Sequence, residues 1–204
     1  MSKNYAEACD RNRDPILSVL GILLADCKSV LEIGSGTGQH AVYFAEHMPH
    51  LVWHTSDLPQ NHNDIKQWIE ESGLENLRLP LALDVTDANW PVLAVDAIFS
   101  ANTAHIMSWN AVKALFAGAG KLLSDGGIFA LYGPFNYGNT YTSQSNAEFD
   151  GWLKRRDPAS GIRNYEDLVS LALTNGMVLK EDYQMPVNNR LLIWIKQDHD
   201  EQVK

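Results

Sequence analysis

Residues 30–40 read VLEIGSGTGQH, an apolar run that leads into a loop with three glycines and then into a helix-compatible stretch. Gly34, Gly36 and Gly38 carry no Cβ, so the backbone there can turn sharply and come close to a ligand. A helix that starts at the end of this loop offers free backbone N–H groups in its first turn. The stretch therefore predicts a strand, a loop and a helix, with a nucleotide-like ligand bound at the loop.

The spacing of the glycines separates two classes of ligand. The dinucleotide fingerprint places glycines at offsets of zero, two and five from the first one. Counted from Gly34, the glycines of this chain fall at offsets of zero, two and four, and Gln39 occupies the fifth offset. This spacing disfavours a nicotinamide oxidoreductase, which stays open as an alternative that NADH binding would revive.

Outward from the loop, strand-like apolar runs alternate with amphipathic helical runs. Predicted strands lie at 29–33, 51–55, 77–83, 96–101, 128–132, 177–183 and 191–196, and predicted helices at 14–25, 37–47, 60–72, 109–123, 146–155 and 165–175. Pro15 suits the first turn of the first helix, and the short turn at 186–189 suits an antiparallel hairpin. The pattern predicts an α/β fold: a Rossmann-like, seven-stranded, mostly parallel sheet with one antiparallel strand and helices on both faces.

Length and composition restrict the class of protein. The 204 residues suit a single domain over 1–204, with a helical cap at 1–27 and a lid-like insertion at 133–165. Apolar residues make up 45% of the chain and the formal charge is −9, which argues against disorder and against a generic grip on nucleic acid or anionic lipid. No signal peptide or membrane helix is expected, and two cysteines without a CxxC pair favour a cytoplasmic location.

Two carboxylates follow the second and third predicted strands. Asp57 comes after 51–55 and Asp84 directly after 77–83. Ligands of such sheets bind beyond the carboxyl ends of the strands, so both acids fall where a ligand is expected. A carboxylate at Asp57 can accept hydrogen bonds from both hydroxyls of a ribose. Taken singly, each acid is more often a solvated loop residue, but their common register favours a nucleoside site.

Glu32 before the glycines, the loop spacing and the two acids together resemble class I S-adenosylmethionine (SAM)-dependent methyltransferases. The resemblance implies that Glu32 helps to hold the loop and the methionine part of SAM, while the glycines pass its sugar. It also implies that Asp84 accepts the adenine amino group, with the backbone of Val85 beside the ring. The implied cofactor-binding residues are Glu32, Gly34, Ser35, Gly36, Gly38, Asp57, Asp84, Val85 and Asn102, and the implied product is S-adenosylhomocysteine (SAH).

Four further runs extend the resemblance over nearly the whole chain: RNRDPI at 11–16, ANTAHI at 101–106, LYGPF at 131–135 and SNAEFD at 145–150. These runs are similar to the methyltransferase-like protein 26 subfamily. The similarity implies SAM binding and leaves the methyl acceptor open.

Asn102 and His105 follow the fourth predicted strand, and Tyr132 ends the fifth. His105 suits a general base because an unperturbed imidazole titrates near about pH 6.5, but a packed, hydrogen-bonded histidine explains it equally well. Tyr132 can aim its hydroxyl at the substrate, or serve as an aromatic residue at the edge of the core. Asn102 orients cofactor or substrate more readily than it reacts, because an amide does not titrate.

Substrate-binding candidates flank this core of the site. Arg11, Asn12 and Arg13 are predicted to precede the first helix, where they could contact an anionic substrate or the cofactor carboxylate, with solvated surface charge as the alternative. Trp109 and Asn146 complete the substrate-binding candidates. Candidate lid residues are Tyr137, Tyr141, Asn146, Trp152, Lys154, Arg155, Arg156 and Arg163, with a solvated helix face as the alternative for the basic ones.

Several absences narrow the acceptor. The histidines show no zinc-type spacing, so no metal is expected. The fourth strand is followed by NTAH at 102–105 rather than the Asn/Asp-Pro-Pro-aromatic motif of enzymes that methylate planar amino nitrogens, and the chain has no Pro-Cys pair. Together with the acidic charge, these features disfavour nucleic acid and favour a small-molecule acceptor, while a protein substrate stays open.

The expected function is in-line methyl transfer from SAM to a small molecule. The alternative is a non-catalytic SAM-binding or interaction module on the same fold, because a fold does not fix a function. The attacked atom and the oligomeric state stay open.

Overall fold

The computed structural model describes residues 3–198. The helices are α1 (Glu7–Leu23), α2 (Gln39–His47), α3 (His62–Ser72), α4 (Trp109–Leu122), α5 (Gln144–Arg156) and α6 (Tyr165–Thr174). The strands are β1 (Ser29–Ile33), β2 (Val52–Asp57), β3 (Leu77–Ala82), β4 (Ala97–Ala101), β5 (Ile128–Gly133), β6 (Phe135–Asn136), β7 (Arg163–Asn164), β8 (Met177–Gln184) and β9 (Arg190–Lys196). Short 3₁₀ turns lie at Pro59–Asn61 and Pro186–Asn188.

Seven of the strands form one sheet, in the order β3-β2-β1-β4-β5-β9-β8. β1 is parallel to both β2 and β4, and β2 is parallel to β3. β9 is antiparallel to both of its neighbours, β5 and β8. The predicted seven-stranded, mostly parallel sheet with one antiparallel strand is therefore confirmed. Strand order reverses between β1 and β4, and open α/β sheets bind ligands at such a reversal.

The chain divides after Ser100 into two compact units. In the first unit, Phe44 of α2 packs on Trp53 of β2 and on Phe99 of β4, with ring centroids 5.5 Å apart in both pairs. The Phe44–Phe99 pair is edge-to-face, a geometry that contributes about 0.5–1.5 kcal/mol beyond burial. These contacts join α2 to the strands and so fix the position of the loop between β1 and α2.

A second aromatic cluster forms the core of the second unit. Phe116 of α4 packs edge-on against Phe129 of β5 and Trp194 of β9, with centroid distances of 5.2 Å to each. Phe129 and Trp194 stack on each other at 5.4 Å. The cluster packs α4 against the β5–β9 pair and so fixes the position of β5.

The first helix begins at Glu7, so its predicted start at residue 14 is wrong. The prediction gave Pro15 its commonest helical position, the first turn, whereas Pro15 lies inside α1. Acidic residues in the first turn of a helix are stabilised by its dipole, and here Glu7 and Asp10 occupy that turn. As a consequence, the run 11–13 lies within α1 and does not precede it.

The predicted lid-like insertion, 133–165, contains regular structure. β6 and β7 pair in parallel as a separate two-stranded sheet, and α5 lies between them in the chain. The side chains of Phe135 and Asn136 in β6 are buried. The lid role of this segment and the cap role of 1–27 stay predictions. Among residues 3–198, no helix is both long enough and apolar enough to cross a bilayer.

Candidate functional site

The glycine loop between β1 and α2 is bound to the end of β2. Gly34 and Ser35 both donate backbone hydrogen bonds to the Ser56 carbonyl at 3.0 Å. The Gly36 N–H donates to Oδ2 of Asp57 at 2.7 Å. The loop therefore leaves β1, turns against the end of β2, and is held there by its own amides.

Two of the loop glycines are needed for different reasons. Gly38 has a φ of 93°, and a Cβ there would lie 3.1 Å from the Ile65 Cα and 3.3 Å from the Trp68 Cβ, so only glycine lets α2 begin this close to α3. Gly36 has a φ of 61°, but a Cβ there would meet no other atom within 4 Å. The surface at Gly36 is open, which allows a ligand to approach its backbone.

Glu32, at the end of β1, is buried beneath the loop, with 2% of its surface exposed. Its Oε2 accepts hydrogen bonds from Ser35 Oγ at 3.0 Å and from Trp53 Nε1 at 3.2 Å. Burial raises the pKa of Glu32 to about 7, and the charge of Asp57 adds to this, against the lowering effect of the two hydrogen bonds. Glu32 thus holds the loop through Ser35, and its role toward SAM stays a prediction.

Asp57 is buried at the end of β2, and both of its carboxylate oxygens are engaged. Besides the Gly36 bond on Oδ2, Oδ1 accepts from the Leu58 N–H at 2.7 Å and from Asn61 Nδ2 at 2.8 Å. A carboxylate offers roughly four acceptor positions, so about one is left. The Asp57 side chain is therefore held in place by the glycine loop whose ligand it is predicted to bind.

Asp84 lies beside the end of β2. The Leu83 N–H donates to the Asp57 carbonyl at 3.1 Å, which brings Asp84 next to the strand end that carries Asp57. Asp84 Oδ1 accepts from the Thr86 N–H at 2.9 Å and from the Thr86 hydroxyl at 2.7 Å, and the backbone bond, followed by the hydroxyl, lowers the pKa of Asp84. Val85 is buried behind it. The strand ends therefore carry two ionisable carboxylates near the loop.

Gln39 is a site residue that sequence reasoning treated only as a missing glycine. Its Oε1 accepts from the Ala6 N–H at 2.5 Å and from Thr37 Oγ1 at 3.0 Å. Its Nε2 is buried and has no hydrogen-bond partner among residues 3–198. Gln39 therefore ties the start of α1 to the start of α2, immediately after the glycine loop.

The run 11–13 has mainly structural contacts. Asn12 is buried, and its Oδ1 lies 2.6 Å from Nε2 of His40. Arg11 forms an exposed ion pair with Glu7 at 3.2 Å. Arg13 pairs with Asp10 at 2.8 Å, while its buried Nε lies 3.9 Å from Asp14 Oδ1 and has no hydrogen-bond partner among the described residues. Their role in binding substrate stays a prediction.

Asn102 and His105 lie in the second unit, just beyond β4. Asn102 has a φ of 59°, uncommon for a residue other than glycine, and its N–H donates to the Tyr132 carbonyl at 2.9 Å. His105 is 6% exposed and packs edge-on against Phe149 at 5.3 Å. Burial, followed by the charge of Arg163, lowers the pKa of His105 to about 4, so the imidazole is neutral at pH 7.

His105 adjoins the end of β5. A Cβ on Gly133 would lie 3.6 Å from His105 Nδ1, so the missing side chain at Gly133 gives the imidazole room. Tyr132, the preceding residue, is buried and engaged with other groups. The predicted pair His105 and Tyr132 therefore meets at one strand end.

Arg163, a predicted lid residue, donates hydrogen bonds to backbone carbonyls on both sides of His105. Its Nε donates to the Ala104 carbonyl at 3.0 Å, and its Nη2 donates to the carbonyls of Met107 and, at 2.9 Å, Ala159. Its guanidinium also lies 6.0 Å from the ring centroid of Trp109, a predicted substrate-binding residue. The structure thus uses Arg163 to fix the loop.

Asp150 is a buried carboxylate with several polar partners. The sequence assigned no role to it, although it lies in the quoted run 145–150. Its carboxylate accepts from the Ile162 N–H at 2.7 Å and from the Tyr141 hydroxyl at 2.6 Å, and it pairs with Lys154 at 2.6 Å. Asn146, one turn earlier on α5, donates to Thr142 Oγ1 at 2.9 Å. These contacts hold α5 and its flanking segments together.

Comparison with solved structures shows the class of fold. An O-methyltransferase family protein from Burkholderia thailandensis matches at 16% identity with a TM-score of 0.81, over 91% of this chain and 56% of that one. Human N-acetylserotonin methyltransferase, in complex with SAM, matches at 15% identity with a TM-score of 0.72, over 90% of this chain and 53% of that one. An O-methyltransferase family 2 protein from Planctomyces limnophilus, in complex with apigenin, matches at 16% identity with a TM-score of 0.74, over 83% of this chain and 51% of that one.

The fold is that of SAM-dependent methyltransferases, and the chain spans about half the length of these three proteins. The family described as "Protein of unknown function (DUF938)" has a model that matches residues 3–196. The chain belongs to this family.

Proposed function

We propose that this protein is a SAM-dependent methyltransferase that acts on a small-molecule acceptor. The observation that carries the proposal is the hydrogen bond of 2.7 Å between the Gly36 N–H and Asp57. It joins a glycine loop after β1 to a carboxylate at the end of β2, and Asp84 follows at the end of neighbouring β3. The similarity of the quoted runs to the methyltransferase-like protein 26 subfamily supports the same function.

The residues of the first unit fit the parts of SAM by their chemistry. Glu32 holds the loop through Ser35, the open backbone at Gly36 would leave room for the sugar, and Asp84 would accept a hydrogen bond from the adenine amino group. Asp57 has about one acceptor position left for a ribose hydroxyl. A contact to both hydroxyls requires one of its present donors to leave, and the Asn61 side chain is the donor that no backbone position fixes.

SAM supplies an electrophilic methyl group on a sulfonium. The residues of the second unit are assigned to the acceptor: Asn102 orients it and His105 receives its proton. The neutral imidazole of His105 would take up the proton that the acceptor loses when it is methylated. A conjugate acid with a pKa of about 4 makes His105 a weak base, which suits an acceptor that is already acidic.

The class of acceptor is supported by the compared proteins. One of them was solved with apigenin and another is named for N-acetylserotonin, both small molecules. The acidic charge of −9 agrees with this class, because a phosphate backbone would be repelled. The cytoplasmic location stays a prediction.

Calorimetric titration with SAH tests the cofactor site. We expect saturable binding to the wild-type chain, and a loss of about tenfold or more in affinity for Asp57→Ala, because the substitution removes both the ribose acceptor and the anchor of Gly36. Asp87→Ala, at an exposed neighbouring acid, is the control. Absence of heat at millimolar SAH contradicts the proposal, and unchanged affinity in Asp57→Ala contradicts the assignment of that residue.

A non-catalytic SAM-binding module is the second candidate, and the buried, weakly basic His105 is the observation that favours it. Incubation of the protein with a metabolite extract and SAM labelled in its methyl group separates the two. A labelled product whose formation slows in His105→Ala supports the enzyme. SAH binding without any labelled product, across extracts, supports the module.

A further inference from the structure

A cavity of about 480 Å³ lies in the second unit, lined by Tyr137, Thr142, Gln184, Asn188, Asn189 and Arg190. The strand register pairs Arg190 of β9 with Gly133 of β5, so the cavity adjoins the carboxyl end of β5. The backbone bond from Asn102 to Tyr132 places the His105 loop at the same strand end. The cavity is therefore next to the residues assigned to the acceptor.

Arg190 is the charged residue of the lining, and Asp182 occupies one edge of its guanidinium. Arg190 Nε donates to Asp182 Oδ1 at 2.7 Å, and Nη2 donates to the Asp182 carbonyl at 3.1 Å. The Tyr137 hydroxyl donates to Asp182 Oδ2 at 2.7 Å and is a further partner of the guanidinium. These contacts fix the plane of the guanidinium and leave it with N–H groups beyond those they use.

The other lining residues add neutral donors. Asn188 is held with a φ of 58°, and its carbonyl accepts from Asn146 Nδ2 at 3.4 Å, so the turn is attached to α5. Asn189 Nδ2 donates to the Pro186 carbonyl at 3.3 Å. Amide groups beside a fixed guanidinium make a donor-rich pocket with no carboxylate in its lining.

We propose that this cavity binds the carboxylate group of the methyl acceptor, so that the acceptor is a small organic acid. A planar guanidinium with free N–H groups matches a carboxylate in a two-point contact, which a neutral amide matches less strongly. The ring of Tyr137, stacked on Tyr165 at 4.8 Å, gives the wall beside Arg190 a rigid aromatic surface. The assignment to the acceptor rests on the proposed function, whereas the carboxylate site itself does not.

The test uses benzoate and its neutral, isosteric counterpart benzamide as probes on the full chain. Binding is measured by calorimetry, and its position by the side-chain ¹⁵N–¹H signals of Asn, Gln and Arg. We expect benzoate to bind at least about tenfold more tightly than benzamide, as charge-assisted bonds exceed neutral ones, and to shift the signals of Asn188, Asn189 and Arg190.

Arg190→Lys keeps the charge and loses the planar fork, and should weaken benzoate about tenfold while SAH affinity stays within about twofold. Since Arg190 also partners Asp182, Asn188→Gly is a second variant, which suits the left-handed backbone and removes only the amide. It should weaken benzoate by a smaller factor. Lys180→Gln changes an exposed residue of β8 that lies outside the lining. This variant is the control for charge and should bind benzoate as the wild type does.

The outcomes separate the two proposals. Equal binding of the two probes, signal shifts away from the cavity, or unchanged benzoate affinity in Arg190→Lys overturns the carboxylate site, even if SAH binds. If benzoate binds as expected and SAH does not bind, the proposed function fails and the acceptor role fails with it. Labelled products retained on an anion exchanger support the acceptor role, and labelled products that all lack a carboxylate overturn it.

Discussion

The carboxylates at the glycine loop and the amide of Asn136 beyond β5 differ in how their hydrogen bonds are satisfied. Around the loop, Glu32 and Asp57 are buried and hydrogen-bonded, and His40 is paired with Asn12. Beyond β4 and β5, the imidazole of His105 and the amide of Asn136 are 6% and 7% exposed, and Oδ1 of Asn136 has no hydrogen-bond partner among residues 3–198.

This difference distinguishes a site whose carboxylates are already held by hydrogen bonds from a region with a buried amide oxygen that no described residue binds. A buried polar group without a partner costs about 1–3 kcal/mol, so stability does not account for the buried amide of Asn136. Under the proposed function, the first region holds a cofactor whose shape is constant, and the second offers the Asn136 amide and the neutral His105 imidazole to an acceptor. Five predictions test the contrast, from the largest expected effect to the smallest.

Glu32→Gln tests whether the loop carboxylate is kept at a cost in stability. An unfolded glutamate titrates near about 4.3, whereas the folded pKa of Glu32 is about 7. Between these values the folded chain holds the proton more tightly, so unfolding releases it and Glu32 lowers stability as pH rises. We expect Glu32→Gln to equal the wild type at about pH 4 or below, and to exceed it above about pH 8 by on the order of 3 kcal/mol in urea unfolding.

The control is Glu75→Gln at an exposed position, which should give no pH-dependent difference. A gap between Glu32→Gln and the wild type that is equal at both pH values sinks the prediction. A stabilised variant that binds SAH less tightly would show that the carboxylate is kept for binding.

Gly38→Ala and Gly36→Ala separate folding from binding within the loop. Alanine at Gly38 meets the Ile65 backbone at 3.1 Å in a left-handed conformation, and should cost about 2 kcal/mol or more. Alanine at Gly36 meets no atom and should cost about 1 kcal/mol, from its backbone conformation alone. SAH affinity should fall more in Gly36→Ala, because its methyl group occupies the open surface of the loop. Equal stability losses, or the reverse order of SAH affinities, contradict this division.

His40→Phe and His105→Phe compare the two buried histidines directly. His40→Phe leaves buried Asn12 without its partner at 2.6 Å and should destabilise the fold by about 2 kcal/mol, as measured in urea at pH 7.5 or so. His105→Phe puts another aromatic ring in place of an imidazole that packs edge-on against Phe149, and should change stability by less than about 1 kcal/mol. A larger loss for His105→Phe than for His40→Phe would reverse the comparison.

The same pair predicts an acid dependence. Burial lowers the pKa of both histidines to about 4, below the unfolded value near about 6.5. Unfolding takes up a proton between these values, so each histidine lowers stability as pH falls from about 6.5 to about 4. Each Phe variant should lose its share of that decline. An unchanged slope in both variants would contradict the shifts.

The sheet and the glycine loop could be predicted because their signals are local. The strand 29–33 ends where predicted, since apolar side chains and the glycines that follow are adjacent in the chain. The predicted register of Asp57 and Asp84 after neighbouring strands agrees with the order β3-β2-β1. Repeated alternation of strands and helices leaves few other folds.

The partners of the site residues could not be predicted because they are distant in the chain. The bond from Asn12 to His40 and the contacts of Arg163 with Ala104 and Met107 cross 28 residues or more. The start of the first helix was also predicted wrongly. The prediction placed Pro15 in the first turn, its commonest helical position, whereas the helix begins at Glu7 and buries Asn12. Asn136 carried no pattern of its own, and only the structure shows that its amide is buried.

Asn136→Leu is the smallest expected effect and the sharpest test of the unpaired region. Leucine has a similar volume and no polar atom, so it removes the cost of burying Oδ1 without creating an orphaned partner. We expect stability to stay equal or to rise by about 1 kcal/mol, where Asn146→Leu, which removes donors to Thr142 and Asn188, should lower it. A loss of about 2 kcal/mol or more in Asn136→Leu would show that the amide supports the fold, and would remove it from the groups reserved for the acceptor. If the stability of Asn136→Leu equals that of the wild type while the labelled product disappears, the Asn136 amide contacts the acceptor, because the stability of the fold has then not changed.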